Sequence, residues 1–306
     1  MTSENIVNIS SSALAGLMAR LVCHPIDTCK AKLQSGDTFT GLNDLVRKTF
    51  RNEGVRGFYQ GIGAALMGGV PGVCVYISTY EASKRNLEKY DWIRKNQFSS
   101  YFISGMAAEA VCCAIFVPVD VVKERLQVQS NRGDSMYKGS IDAFRTIIKQ
   151  EGLRGLYKGY NATIFSYGPF SAIYFVLYEE VCDVSDSTVA ARNNHGANDK
   201  LPFTQNLACS AVAGSVASFL TTPLDVAKLR FQIQRNIKVG GSQAASPAGE
   251  KAFTGLWDAL GKLHGRYGVR GLFRGALTRV CFFTPSTAIT MASYDYFKVF
   301  LAQRLQ

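Results

Sequence analysis

The chain has 306 residues, 34 Lys and Arg against 23 Asp and Glu, a net charge of +11 and 47% hydrophobic content, at a mean hydropathy of +0.03. As averages these values fit a basic soluble protein or a nucleic-acid binder, yet residues 57–80, 159–178 and 201–224 carry no charge, and each run has about the 20 residues an α-helix needs to cross a bilayer. The basic residues gather behind three proline motifs and in the segments after them, as in basic loops on one side of spanning helices, which argues against a nucleic-acid partner.

The chain opens MTSENIVNIS, with an acid and no arginine, so neither a signal peptide nor an amphipathic presequence is expected and targeting would be internal. An apolar helix over roughly 8–34 then runs into Pro25-Ile-Asp27-Thr-Cys-Lys30-Ala-Lys-Leu-Gln34. After a linker, Phe39-Thr-Gly41 starts a short amphipathic helix, which ends in the turn Glu53-Gly54-Val-Arg-Gly57-Phe-Tyr-Gln-Gly61. A second spanning helix has Pro71 at its centre and Tyr80-Glu81-Ala-Ser-Lys84 beyond it.

The same order returns over 99–127 with Pro118-Val-Asp120-Val-Val-Lys123-Glu-Arg-Leu-Gln127, Tyr137-Lys-Gly139, Glu151-Gly152-Leu-Arg-Gly155-Leu-Tyr-Lys-Gly159, Pro169 and Tyr178-Glu179-Glu-Val-Cys182. It returns again over 204–233 with Pro223-Leu-Asp225-Val-Ala-Lys228-Leu-Arg-Phe-Gln232, Phe253-Thr-Gly255, Tyr267-Gly268-Val-Arg-Gly271-Leu-Phe-Arg-Gly275, Pro285 and Tyr294-Asp295-Tyr-Phe-Lys298. Three copies in one register are a tandem repeat. The expected fold is all-α: six transmembrane helices in a pseudo-threefold bundle with three short amphipathic helices. Its units are repeats at 1–92, 93–183 and 204–306, with a solvated loop at 184–203.

Six of the eight prolines fall at equivalent positions, Pro25, Pro118 and Pro223 in the odd helices and Pro71, Pro169 and Pro285 in the even ones. Each removes a backbone bond and kinks its rod, so that six bent helices surround a central space. Small residues on the odd helices (Ala13, Ala15 and Gly16; Ser104 and Gly105; Ala211, Ala213 and Gly214) allow close approach. The eight cysteines and the three histidines (His24, His195 and His264) show no metal-ligand spacing, and no metal site is expected.

The motif acids have two possible partners. Each of Asp27, Asp120 and Asp225 lies one turn from the lysine of its own motif, which allows a local pair worth a few tenths of a kcal/mol. Threefold symmetry also allows Asp27 to reach Lys123, Asp120 to reach Lys228 and Asp225 to reach Lys30, a closed ring that pairs all six at membrane depth. The ring is the favoured geometry, with Gln34, Gln127 and Gln232 one turn further on and placed to brace it. The opposite end carries a second, incomplete set, because Cys182 stands where the other repeats have Lys84 and Lys298. Two rings at opposite ends of one cavity would open in alternation.

The three P-x-D-x-x-K motifs, the Gly-rich turns and the aromatic-acid pairs together resemble the mitochondrial carrier family over essentially the whole chain. That resemblance implies a monomer in the mitochondrial inner membrane, with both termini on the intermembrane side and no enzymatic activity. It makes the proline-motif ring a matrix gate and the set Tyr80, Glu81, Lys84, Tyr178, Glu179, Tyr294, Asp295 and Lys298 a cytosolic gate. It implies cardiolipin as bound lipid at Gly41, Gly61, Gly139, Gly159, Gly255 and Gly275, at helix starts whose bare N–H groups attract phosphate, and no other cofactor. Turn glycine without a ligand is the alternative.

Substrate contacts carried over from the family fall on Gly68, Ser166, Tyr167 and Phe282 in the even helices, on Arg20, Cys113 and Ser218 in the odd ones, and on Arg279. Gly16, Glu109 and Gly214 occupy the next equivalent level, where Glu109 puts an acid in mid-membrane. Glu109 would either pair with Arg20 or Arg279 or bind a cationic group of the solute. The segment Ala108-Glu109-Ala-Val-Cys-Cys-Ala-Ile-Phe-Val-Pro118 resembles S-adenosylmethionine carriers, whereas the sixth helix around Pro285 is more similar to mitoferrins. The expected cargo is a small molecule like S-adenosylmethionine, with a metal ion, a nucleotide or another cofactor as the alternatives. A non-transporting membrane receptor is the reading outside the class. No Ser/His/Asp or Cys/His set recurs, and Gly61-Ile-Gly63 is the end of a repeat turn rather than a dinucleotide fingerprint.

Overall fold

The computed structural model describes residues 3–36, 39–87, 89, 97–129, 137–193, 203–234, 238–239, 242–243 and 253–305. Six rods dominate: α1 (Ser3–Ser35), α3 (Ile62–Leu87), α4 (Gln97–Val128), α7 (Tyr160–Asn193), the bent pair α8 (Phe203–Leu220) and α9 (Thr222–Ile233), and α11 (Ala276–Leu305). Between them lie α2 (Leu42–Glu53), α5 (Ser140–Glu151), the one-turn α6 (Leu153–Leu156) and α10 (Leu256–Leu272). A small antiparallel hairpin, β1 (Lys238–Val239) with β2 (Ser242–Gln243), sits in the third linker.

Rod α1 packs against α3 and α11, α4 against α3 and α7, and α8 against α7 and α11, which closes the bundle. The contacts are made by small residues at four-residue spacing: Ser11, Ala15, Ala19 and Cys23 on α1, Ser104, Ala108 and Cys112 on α4, and Cys209, Ala213 and Ala217 on α8 are all buried. Such a stripe lets helix backbones approach without a large apolar core. Of the glycines expected to help, Gly214 is needed, since a Cβ there would fall 1.7 Å from Phe283, whereas one at Gly16 would touch nothing. Large apolar side chains such as Val22, Met67, Val111, Phe165 and Leu277 point outward.

Val55–Leu87 and Phe102–Val128 are long and apolar enough to cross a membrane, and Leu207–Leu220 with Thr222–Ile233 is a third candidate span bent by 62°. Pro25, Pro71, Pro118, Pro169 and Pro285 stay inside continuous helices. At Pro223 the rod breaks, because Thr221 and Thr222 bond back to the carbonyls of Ala217 and Ser218, and such back-bonding bends a helix already short of a proline N–H.

The loop expected at 184–203 is corrected in its first half. Rod α7 continues to Asn193, and residues 183–195 contain neither glycine nor proline to stop it. The rest of that segment, 194–202, lies outside the described residues.

Each short helix has the same local cause. Asp44, Asp142 and Asp258 reach back to the amides of Thr40, Lys138 and Thr254 at 3.1, 2.8 and 2.9 Å, satisfying donors ahead of the first turn. Lys48 and Lys262, with those amides, hold Asp44 and Asp258 below the usual carboxylate range. Their apolar faces (Leu45; Ala143 and Ile147; Leu256, Ala259 and Leu263) bury against α1, α4 and α9 and fix the end of the bundle where those three rods meet.

Candidate functional site

At that end the motif acids and amines come together across rods. Lys123 lies 2.5 Å from Asp27, Lys30 lies 2.7 Å from Asp225, and Lys228 lies 3.7 Å from Asp120. Among the described residues none of these lysines pairs with the acid of its own helix, so the cross-rod geometry holds over the local one. Rods α1, α4 and α9 meet one another here, and each acid lies beside the amine of a neighbouring rod. The six side chains line a polar cavity of about 140 Å³ with Gln127, Glu124, Ala31 and Leu229.

The glutamines divide. Gln127 donates to Asp27 at 3.3 Å and to Thr28 at 3.1 Å, the brace expected from its position. The amides of Gln34 and Gln232 are buried with no hydrogen-bond partner, so the same brace is absent there. All three share a different contact: a Cβ at Gly61, Gly159 or Gly275 would lie 3.5, 2.6 or 3.0 Å from the Cγ of Gln127, Gln232 or Gln34. These glycines also hold φ of +79, +84 and +78, a region open to them at no steric cost. The turn of each repeat therefore seats the glutamine of the next.

Outside the ring lies a tier the motif reading left without a role. Two residues after each ring lysine comes a base, Lys32, Arg125 or Arg230. Lys32 pairs with Glu53 at 2.6 Å. Arg125 forms a two-pronged pair with Glu151 and donates to the carbonyls of Gln232 and Gln234 at 3.3 and 3.1 Å. In the third repeat Tyr267 replaces the acid, and Arg230 stacks 5.0 Å above its ring while donating to the Gln34 carbonyl at 3.0 Å. The recurrence of a base beside a recurring turn acid was the available signal. Lys158 donates to the Gln234 carbonyl at 2.9 Å and Arg274 to that of Phe39, adding ties from repeat two to three and from three to one.

The other end differs. Glu81 and Asp295 are exposed and join no ion pair among the described residues. Lys298 lies 5.7 Å from the Tyr294 ring, and Tyr80 and Tyr178 stack on Tyr76 and Tyr174. Glu179 lies outside the residues whose side chains are described.

Between the ends, the expected contact residues fall into separate environments. Arg20 donates to the Ala65 carbonyl at 3.2 Å and lies over Phe116. Arg279 stands 3.8 Å from Asp225 and over Phe170, drawn to the ring. Neither pairs with Glu109, whose contact is the Cys113 thiol at 3.5 Å. Tyr167 and Tyr76 share a hydroxyl hydrogen bond of 3.2 Å, with Tyr76 beside Gly105, one turn from Glu109. Ser166 and Ser218 are buried, Phe282 is half-buried, and Gly68 admits the Val119 side chain.

An aromatic column without a role in the expected site is formed by Phe170, Tyr174 and Tyr178, which stack one turn apart, with Phe283 set at an angle to the first two. Their four-residue spacing was visible. Among the described residues no group of His, Cys, Asp and Glu is arranged to hold a metal ion. A crevice of about 550 Å³ opens between the second and third repeats, lined by Arg154, Lys158, Gly159, Gly255 and Trp257.

The sequence profile of the mitochondrial carrier protein family matches residues 2–91, 94–185 and 199–305. The chain is 32% identical to the mitochondrial substrate carrier family protein E of Dictyostelium discoideum, over 96% of both chains. It is 31% identical to the mitochondrial S-adenosylmethionine carrier protein of Mus musculus, over 94% of this chain and 92% of that one. Identity to mitoferrin-1 of Homo sapiens is 28%, over 99% and 86%.

Proposed function

The chain belongs to the mitochondrial carrier family, and we propose that it moves a cation-bearing cofactor of the S-adenosylmethionine type through the central space by alternating access. The observation that carries this reading is Glu109, an acid on the second odd rod that meets a thiol rather than an arginine. An ionisable group at membrane depth that the fold does not pair is a place for an oppositely charged solute. The hydroxyl pair Tyr76–Tyr167 and the column Phe170, Tyr174 and Phe283 offer stacking faces for a planar ring or a sulfonium centre.

In this mechanism the six-residue ring is the gate on the matrix side of the inner membrane, with both termini in the intermembrane space, and the described state is closed there. Loading at Glu109 and contact with Arg279 draw that arginine from Asp225 and weaken one of the three bridges. Desolvation offsets much of the gain from a shielded ion pair, so the ring is breakable by a bound solute. The protein acts as a monomer, and the crevice at Lys158, Gly159 and Gly255 takes the acidic headgroup of cardiolipin, with equivalent places at the other two junctions. Gly41, Gly139 and Gly255 have extended backbone and open space at Cβ, so their small size is available to a lipid.

The test is uptake by purified protein in liposomes. Labelled S-adenosylmethionine is expected to enter and S-adenosylhomocysteine, which lacks the sulfonium charge, to be discriminated against. Glu109→Gln should abolish that preference. Equal uptake of both solutes, or an unchanged Glu109→Gln, would reject the cation site, and uptake of ferrous ion alone would move the cargo to a metal.

A further inference from the structure

The threefold ring is broken at one position. The residue after the ring lysine is Ala31 in the first repeat and Leu229 in the third, but Glu124 in the second, and all three line the polar cavity. Glu124 lies one helical turn beyond Asp120 on α4, and its Oε2 is buried without a hydrogen-bond partner. The charged groups facing the same cavity are Asp120 and Lys123 on α4, Asp225 and Lys228 on α9, and Asp27 and Lys30 on α1. Lys123 is held by Asp27 at 2.5 Å and Lys30 by Asp225 at 2.7 Å. Of the bases beside the ring, Arg279 is also placed on Asp225 and Arg20 donates to the Ala65 carbonyl. Lys228 is left to serve Asp120 and Glu124 together, and its 3.7 Å bridge is the longest of the three. Two carboxylates that share one amine out of bulk water do not both remain ionised, since each disfavours the charge of the other and burial disfavours both.

We propose that Glu124 is a proton-binding site of the ring, protonated while the ring is closed and ionised when it opens. On opening, the carboxyl O–H bond breaks, the proton passes to the entering water, and the carboxylate keeps the electron pair. The new charge repels Asp120 and competes for Lys228, which opposes closure until a proton is taken back from the same side. Alkali in the compartment facing the ring therefore favours the open state, and acid the closed one. The inference is independent of which solute is carried.

The test needs no solute. Full-length protein in liposomes is titrated by infrared spectroscopy, following the carbonyl stretch of protonated carboxyl groups in wild type, Glu124→Gln and Asp120→Asn, with thermal unfolding to verify that each is folded. The wild type should show a protonated carboxyl at neutral pH that disappears on alkalinisation, and Glu124→Gln should lack it. In Asp120→Asn, where Glu124 has Lys228 to itself, the loss should move to lower pH. Thermal stability supplies a second reading: a proton held by the folded state and not by the unfolded chain makes stability fall as pH rises, and Glu124→Gln should flatten that slope. A carboxyl signal that survives in Glu124→Gln, a titration unmoved by Asp120→Asn, or a stability loss with unchanged pH slope would each overturn the proposal.

Discussion

The two ends of the bundle are built from the same six rods and hold them in different ways. At the ring end the links are ionic and cross between repeats: Asp27 with Lys123, Asp120 with Lys228 and Asp225 with Lys30, backed by Lys32–Glu53 and Arg125–Glu151. At the other end Glu81 and Asp295 are exposed, and the contacts described there are aromatic: Tyr76 stacks on Tyr80 and Tyr174 on Tyr178, while Tyr76 and Tyr174 also meet Tyr167 and Phe283 of other rods. Shielded charges lose heavily when one partner is removed, whereas exposed charges contribute little. Among the described residues, the ionic links between repeats lie at the end where the charges are withdrawn from water.

Glu151→Gln should break the ring end most severely. It leaves Arg125, which is 2% exposed, without its counter-ion, and a buried pair broken on one side costs about 3–5 kcal/mol, readable as a large drop in melting temperature. Asp27→Lys comes next, because the ring pairs keep some contact with water; a loss of about 1–3 kcal/mol is expected, with most of it and transport restored when Lys123→Asp is added. A double variant as inactive as either single one would remove the cross-rod pair from the mechanism.

At the opposite end, Cys182→Lys gives Glu81 a candidate partner. It should slow transport by favouring closure there, while changing the stability of the ring-closed form by less than about 1 kcal/mol. Lys158 supplies a pH test. Burial pushes its amine down to about 8, whereas an unfolded lysine keeps its proton to about 10.4. The unfolded chain thus binds more protons between those values, and stability should rise with pH across that window. If cardiolipin binds beside Lys158 as proposed, the stability it adds should shrink over the same range, and Lys158→Gln should remove both trends. Smallest of all, Glu81→Gln should move the melting temperature by no more than about 0.5 kcal/mol in equivalent energy.

The ring was legible because identical offsets recurred three times, and symmetry then chose among partners for each acid. Rod number and the short helices followed from the same recurrence. What was missed lay where the copies disagree or where a role needs three dimensions. Glu124 occurs in one repeat and is invisible to a search for what recurs. Arg125 and Arg230 recur, but a base two residues after a ring lysine looks like part of a solvated charge run until its carbonyl and acid partners are placed beside it. The glutamines were assigned to the nearest polar neighbour, when their common contact is a glycine of another repeat. Polar composition beyond residue 183 suggests a loop where α7 continues, because composition says less about helix ends than the absence of glycine and proline does.

Gly61 receives Gln127, Gly159 receives Gln232 and Gly275 receives Gln34, so the final link joins the last third of the polypeptide to the first. Linear arrays end in distinct capping units and tolerate added or deleted modules, but a circuit of this kind has no spare terminus. A two-repeat fragment would present an empty socket and an unmet plug, and a fourth repeat would find both already taken. The number of repeats is thus set by geometric closure, and the barrel is complete only after its closing segment has been made.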